Sequence, residues 1–216
     1  MDEERDDRAL LAAWAEGDAA AGQRLVRRYL APVYGFFRNK LNGELDDIVQ
    51  RTFLGCLESL PRFRGEATFR TYLFAIARNQ LLMELRRRHS PARALRDPDV
   101  TTFEFEGDIV AAESGLHAQR EQVLLLRALR RLPVDDQVAL ELFYWENLTS
   151  KEIAEVLARP DATVRTRLRR ARETLLSLLS DLSRDAHLVT STAEGFDHWV
   201  VGLRGHMQAS RGAGAS

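Results

Sequence analysis

Residues 149–173 read TSKEIAEVLARPDATVRTRLRRARE, and this stretch limits the fold more than any other. Apolar residues recur at helical spacing on both sides of Arg159-Pro160-Asp161, while a proline within a helix removes a hydrogen bond and clashes with the preceding turn. The segment therefore reads as two short helices meeting at a tight turn. Thr149, followed three residues on by Glu152, forms a capping box for the first, whose apolar face is Ile153, Ala154 and Leu157. Pro160 stops that helix, and Asp161 suits the cap of the next. Beyond it Val164, Leu168, Ala171 and Leu175 make one buried stripe. Arg165, Arg169 and Arg172 share an exposed face, and Arg167 and Arg170 flank the stripe. Solvated helices generally mix charge signs at i,i+4, whereas these arginines face only Asp161 at one end and Glu173 at the other. Two helices across a tight turn, with cations on the second, present a helix to the major groove of DNA. The plainer alternative is a solvated amphipathic helix in a bundle.

The rest of the chain is also helical in period, and strand-like alternation is scarce. Arg8 to Glu16 is expected as a helix ended by Gly17. Asp18 caps another running to about Leu41, with Leu25, Tyr29, Val33 and Phe36 or Phe37 inward and Pro32 kinking or dividing it. A third runs from Glu44 to Ser59 with Leu45, Ile48, Val49, Phe53 and Leu57 inside, and Pro61 stops it. Arg62–Ala67 is a turn or loop, and a fourth helix, Thr68 to Arg88, packs Tyr72, Leu73, Ile76 and Leu81. From Ser90 to Gly115 the period collapses into an acidic linker. Helices resume over Leu116–Arg131 and Val134–Trp145. After Asp185 a tail carries a short helix over Ala193–Leu203, with Phe196, Trp199, Val200 and Leu203, before a disordered end. The expected fold is all-α: two helical domains joined by a flexible linker.

Composition narrows the function. The 216 residues carry 31 Lys and Arg against 32 Asp and Glu, a net charge of −1, so contact with nucleic acid must come from local patches. Cys56 is the only cysteine, which excludes an internal disulfide and a multi-cysteine zinc site; its apolar neighbours make it a core residue. The five histidines are scattered through linker and tail, and no phosphate-binding glycine loop is present. Neither an enzyme nor a metal or cofactor is expected. The acidic MDEERDDR start lacks a signal-peptide core, and no apolar run approaches the roughly 20 residues of a membrane span, so a cytoplasmic protein without membrane insertion is expected.

In the first domain, Asp46-Asp47 opens a helix on which Asp47, Gln50 and Arg51 share a polar face. That face reads as plain solvated surface, as a docking surface for a polar or basic partner, or, with no third ligand at suitable spacing, least well as a metal or acid/base site. Further on, aromatics alternate with cations from Phe69 to Gln80, preceded by Arg62, Arg64 and Gly65 and closed by Arg86-Arg87-Arg88. Phe69 and Leu73 read as core. Cations beside an aromatic loop also meet the needs of a single-strand grip, in which a pocket receives an unstacked base, and Arg78 and Asn79 could read a base edge or hold phosphate.

DDIVQRTFL (46–54), RFRGEATFRTYLFAIARNQLLMELRRR (62–88), LPVDDQVALELFYWENLTSKEIAEVL (132–157) and TVRTRLRRARE (163–173) together resemble a bacterial sigma factor of the sigma-70 family, in its extracytoplasmic-function (ECF) subfamily. The resemblance implies region 2 over 1–89, a linker over 90–115, region 4 over 116–185 and a C-terminal extension over 186–216. It implies a non-enzymatic initiation factor. Asp46, Asp47, Gln50 and Phe53 would dock on the clamp helices of the largest subunit of core RNA polymerase, with the polymerase flap as a further contact. Arg62, Arg64, Arg70, Thr71, Tyr72, Arg78 and Asn79 would recognise and melt the −10 element, contacting duplex and single-stranded promoter DNA. Thr163, Arg165, Thr166, Arg167, Arg169 and Arg170 would recognise the −35 element. Family members are often held inactive by an anti-sigma factor, a partner admitted here as well. The turn Ala158-Arg159-Pro160-Asp161 departs from the family, where glycine is common. The rival reading is a stand-alone helix-turn-helix regulator acting without polymerase, which leaves the aromatic–basic helix without a role.

Overall fold

The computed structural model describes residues 2–63, 65–88 and 117–182. The linker over 90–115, the helix expected over Ala193–Leu203 and Arg64 lie outside them. Among the described residues there are eight α-helices and no strand: α1 (Asp2–Ala15), α2 (Ala19–Arg38), α3 (Asp46–Ser59), α4 (Phe69–Arg88), α5 (His117–Arg130), α6 (Val134–Tyr144), α7 (Ser150–Leu157) and α8 (Asp161–Leu182). A 3-10 turn, Leu60–Arg62, follows α3 with Pro61 in its first turn. These residues fall into two compact units, one holding 2–88 with Glu152–Ala158, the other 117–151 with 159–182.

In the first unit α1 packs on α2 and α4, and α3 on α4 and α2. Helix α1 begins at Asp2 rather than Arg8, because its first turns are charged and carry no apolar period; acidic residues suit a helix start through the helix dipole. Gly17 takes the left-handed conformation (φ 101°) that ends α1, and Asp18 then accepts the Ala20 and Ala21 N–H groups to cap α2. Helix α2 runs undivided through Pro32 and stops at Arg38, short of Leu41. Leu25, Tyr29, Val33, Phe36 and Phe37 are buried, with Phe36 edge-on to Phe37 and tilted against Phe74. Lys40 is buried too: its ammonium donates to the Phe36 carbonyl at 2.9 Å and lies 3.9 Å from the centroid of the Phe36 ring. Cys56 is fully buried, as its neighbours implied, and burial pushes its thiol up to about 12.

Helix α3 differs from its sequence reading. Its inward track is Ile48, Val49, Thr52 and Cys56, and Thr52 joins the core because its hydroxyl donates to the Ile48 carbonyl at 2.8 Å. Phe53 is half-buried, and Leu57, expected inside, is 45% exposed because it lies a further helical step round from that track. On α4, Phe69, Leu73, Phe74, Ala77, Leu81 and Leu85 are buried, while Tyr72 and Ile76 sit half-buried at the edge. Glu84 is buried as well, within reach of Arg51, Arg87 and Arg88 at 3.4, 2.8 and 2.8 Å.

In the second unit α8 lies on α5 and α6. The core is Leu125, Leu129, Leu132, Leu140, Tyr144 and Trp145 against Ala171, Leu175 and Leu179. The stripe expected on α8 is thus real and runs a turn further, to Leu179, with Val164 buried and Leu168 half-buried. Gln137 and Glu141 are buried one turn apart on α6, joined at 3.1 Å.

Candidate nucleic-acid interfaces

The arginine helix is entered through a turn of three residues, Ala158–Pro160, after α7. Ala158 holds the left-handed conformation at φ 51°, the geometry glycine adopts without strain, and its N–H donates to the Glu155 carbonyl at 3.2 Å. The Thr163 and Val164 N–H groups donate to the Pro160 carbonyl at 2.9 and 3.1 Å, which makes Asp161 the first helical residue rather than the cap. Its Oδ2 instead meets Arg165 Nε at 3.3 Å.

Burial of the α8 stripe turns Thr163, Arg165, Thr166, Arg169 and Arg170 outward. The Arg165 and Arg169 side chains are 65% and 68% exposed, and their ion pairs with Asp161 and Glu173 are surface pairs of small worth. Thr166 returns its hydroxyl to the Ala162 carbonyl at 3.1 Å. Arg167 stands apart. Its side chain is 27% exposed and meets Asp136 of α6 at 2.6 Å, so this candidate contact is engaged within its own unit. Arg172, read as exposed, is half-buried. Sequence spacing along α8 alone could not reveal Asp136, which belongs to another helix.

The candidate −10 residues spread along the 3-10 turn and α4. Arg62 and Asn79 are exposed, and Arg70, Tyr72 and Arg78 are half-buried. Thr71 is buried, its hydroxyl 2.8 Å from that of Thr68, which also accepts the Thr71 N–H at 3.1 Å and so caps α4. Thr71 is thus part of the helix start rather than of the surface. The Phe63 ring lies tilted against the Tyr72 ring, centroids 4.5 Å apart, and the Tyr72 hydroxyl bonds Ser59 and the Cys56 carbonyl. That aromatic pair anchors one end of the loop and was not anticipated. Tyr72 and Asn79 lie seven residues apart, two turns along one face, about 10 Å. The Arg70 guanidinium sits 5.8 Å from the Tyr29 ring centroid.

On α3, Asp46, Asp47 and Gln50 are exposed, and Asp46 accepts the Tyr34 hydroxyl. The outer track continues from Asp47 and Gln50 to Leu54 and Leu57, 47% and 45% exposed. A polar strip running into exposed leucines is the make-up of a protein-docking surface. Among the described residues no group of acidic, histidine and cysteine side chains could hold a metal ion, and no helix is long and apolar enough to cross a membrane.

A family profile described as "Sigma-70 region 2" matches residues 25–90, and one described as "Sigma-70, region 4" matches residues 122–175. The RNA polymerase sigma-H factor of Pseudomonas aeruginosa is 31% identical over 195 residues, spanning 85% of this chain and 98% of that protein. The ECF RNA polymerase sigma-E factor of Escherichia coli K12 is 30% identical over 192 residues, spanning 85% of this chain and 100% of that protein. A chain in the solved structure of CnrH in complex with the cytosolic domain of CnrY matches with a TM-score of 0.61 and 25% identity, covering 82% of this chain and 99% of that one. The chain belongs to the ECF subfamily of the sigma-70 RNA polymerase sigma factors. It is an initiation factor that directs RNA polymerase to promoters.

Proposed function

We propose a division of this activity among three surfaces. Arg165, Thr166, Arg169 and Arg170 of α8, with Thr163, take the −35 element in the major groove. Arg62, Arg70, Tyr72, Arg78 and Asn79 take the non-template strand of the −10 element. The α3 track of Asp46, Asp47, Gln50, Leu54 and Leu57, with Phe53 at its edge, docks on the clamp helices of the largest polymerase subunit, and the second unit meets the flap. The observation that carries this reading is the outward row on α8, entered through a tight turn and backed by a stripe buried to Leu179. A bidentate arginine–guanine pair discriminates by roughly 1–3 kcal/mol, while a phosphate contact carries affinity without sequence information. Flipping a base costs a few kcal/mol, which capture in a pocket offsets. Opening then draws on binding energy, without nucleotide hydrolysis by this chain, in the cytoplasm.

CnrH was solved with the cytosolic domain of CnrY, which supports a further protein partner for this chain, an anti-sigma factor competing for the α3 face. The test is reconstitution with core polymerase on a randomised promoter library. Arg165→Ala with Arg169→Ala should flatten sequence preference upstream, Asn79→Ala downstream, and Gln50→Ala with Leu54→Ala should weaken polymerase binding with the fold intact. Unchanged preferences in the first two variants would sink the assignment.

A further inference from the structure

We infer that Arg8 is a positioning residue for the −10 loop: from α1 it holds the Gly65 carbonyl and thereby the shape in which the loop meets a base. The inference rests on reading that loop and α4 as the −10 grip.

Arg8 Nη2 donates to the Gly65 carbonyl oxygen at 3.2 Å, linking residues 57 apart in sequence. Gly65 has φ 72°, and a Cβ placed there would meet nothing within 4 Å. Side-chain packing therefore does not define the loop at this point, and a hydrogen bond to its backbone can. The flanks are held separately. The Phe63 N–H donates to the Leu60 carbonyl at 3.0 Å while its ring packs tilted against Tyr72, and Thr68 caps α4.

A brace must itself be fixed, and α1 is. Asp7, the neighbour of Arg8, is buried and accepts both the Tyr29 hydroxyl and Arg28, while Arg28 also reaches Asp6. Burial, followed by the Asp7 hydrogen bond, raises the Tyr29 pKa, which keeps that hydroxyl a donor. Leu10 and Leu11 lock the next turn into the core. The Tyr29 ring in turn lies 5.8 Å from the Arg70 guanidinium. Two successive residues of α1 thus reach two parts of the −10 grip, Arg8 directly and Asp7 through Tyr29. Nothing in the sequence pattern links Arg8 to residue 65; only the fold does.

Because the Arg8 guanidinium is solvent-exposed, the rival role is a direct phosphate contact, and salt dependence separates the two. Holoenzyme carrying wild-type protein, Arg8→Ala, Arg8→Lys, Arg62→Ala or Asn79→Ala is titrated with a non-template-strand −10 oligonucleotide and its single-base variants at several salt concentrations. Melting curves and polymerase affinity serve as controls. Arg8→Ala should weaken the preferred oligonucleotide about fivefold, the worth of one hydrogen bond, and reduce discrimination at one or two bases. The salt slope, melting curve and polymerase affinity should stay unchanged, and Arg8→Lys, which keeps a donor, should recover most of the discrimination. A uniform loss over all oligonucleotides, with the slope reduced by about 0.7, would make Arg8 a phosphate contact and overturn the inference. So would intact binding by Arg8→Ala alongside losses in Arg62→Ala and Asn79→Ala. Intact binding by all three would overturn the −10 reading itself.

Discussion

Arg167 Nη1 donates to Asp136 Oδ1 across 2.6 Å, tying α8 to the first turn of α6. Both side chains are largely withdrawn from solvent, at 27% and 20% exposure. Burial raises the Asp136 pKa, and the charge and hydrogen bond of Arg167 oppose that rise. Where Arg165, Arg169 and Arg170 point outward, Arg167 faces inward and ties the helix to α6.

Arg167→Ala and Arg165→Ala should therefore part company. Removing one member of a largely buried pair leaves the other uncompensated, and Arg167→Ala should lose roughly 1–3 kcal/mol, read as a lower urea midpoint of the second unit. Arg165→Ala should stay within about 0.5 kcal/mol of wild type while weakening −35 duplex binding. Equal stability in the two variants would remove Arg167 from its structural role.

Glu84 gives a pH dependence. Hydrogen bonds from Arg87, opposed by burial and aided by Arg88, lower its pKa from 4.5 to about 2. A depressed carboxylate stabilises the fold fully above its unfolded value, and that contribution disappears as pH falls through the folded one. Glu84→Gln should cost about 1–2 kcal/mol at pH 7, discounted because Arg87 is largely exposed. The gap between variant and wild type should close between about pH 4.5 and pH 2. A gap that persists unchanged to pH 2.5 would show that the charge is not what matters.

These groups mark where sequence reading stops. Gly17 and Asp18 were legible because their chemistry is local, a left-handed residue followed by a carboxylate accepting nearby N–H groups. The α8 stripe was legible because burial repeats at helical spacing, and the outward direction of Arg165 and Arg169 followed from it, whereas Arg172, expected beside them, is half-buried. Inward polar residues were not. Thr52, Lys40, Glu84 and Asp7 are each buried through a partner: the Ile48 carbonyl, Phe36, arginines of two helices, and Tyr29 with Arg28. Three of those arrangements lie within or between helices that spacing alone does not orient. Preferring apolar residues on α3 likewise put Leu57 inside and left Thr52 out. Among the candidate contacts Thr71 and Arg167 share the chemistry of their neighbours and differ in where they point, which spacing along one helix does not reveal.

Gly22 tests the seam between α1 and α2. A Cβ there would stand 2.6 Å from Trp14 Cε2, inside van der Waals contact. Alanine in place of glycine within a helix normally gains about 1 kcal/mol, while overpacking costs about 1–3 kcal/mol. Gly22→Ala should therefore be destabilising in the native background and stabilising once Trp14 is leucine. A stabilised Gly22→Ala with Trp14 present would mean that the ring moves aside freely.

The last test concerns the turn before α8, where Ala158 stands in the left-handed region at φ 51°. Holding alanine there costs roughly 1–2 kcal/mol, whereas glycine carries no steric penalty but loses about 0.5–1 kcal/mol more conformational entropy on folding. Ala158→Gly should thus stabilise the protein by up to about 1 kcal/mol, read in the urea midpoint. The same change reports on the DNA face. The Pro160 carbonyl and the buried Val164 already fix the first turn of α8. If the helix angle is set by these and by Arg167–Asp136, glycine at 158 should leave −35 affinity and its salt slope unchanged. A more stable protein that binds the −35 duplex several-fold more weakly would mean that the strained alanine itself aims the helix.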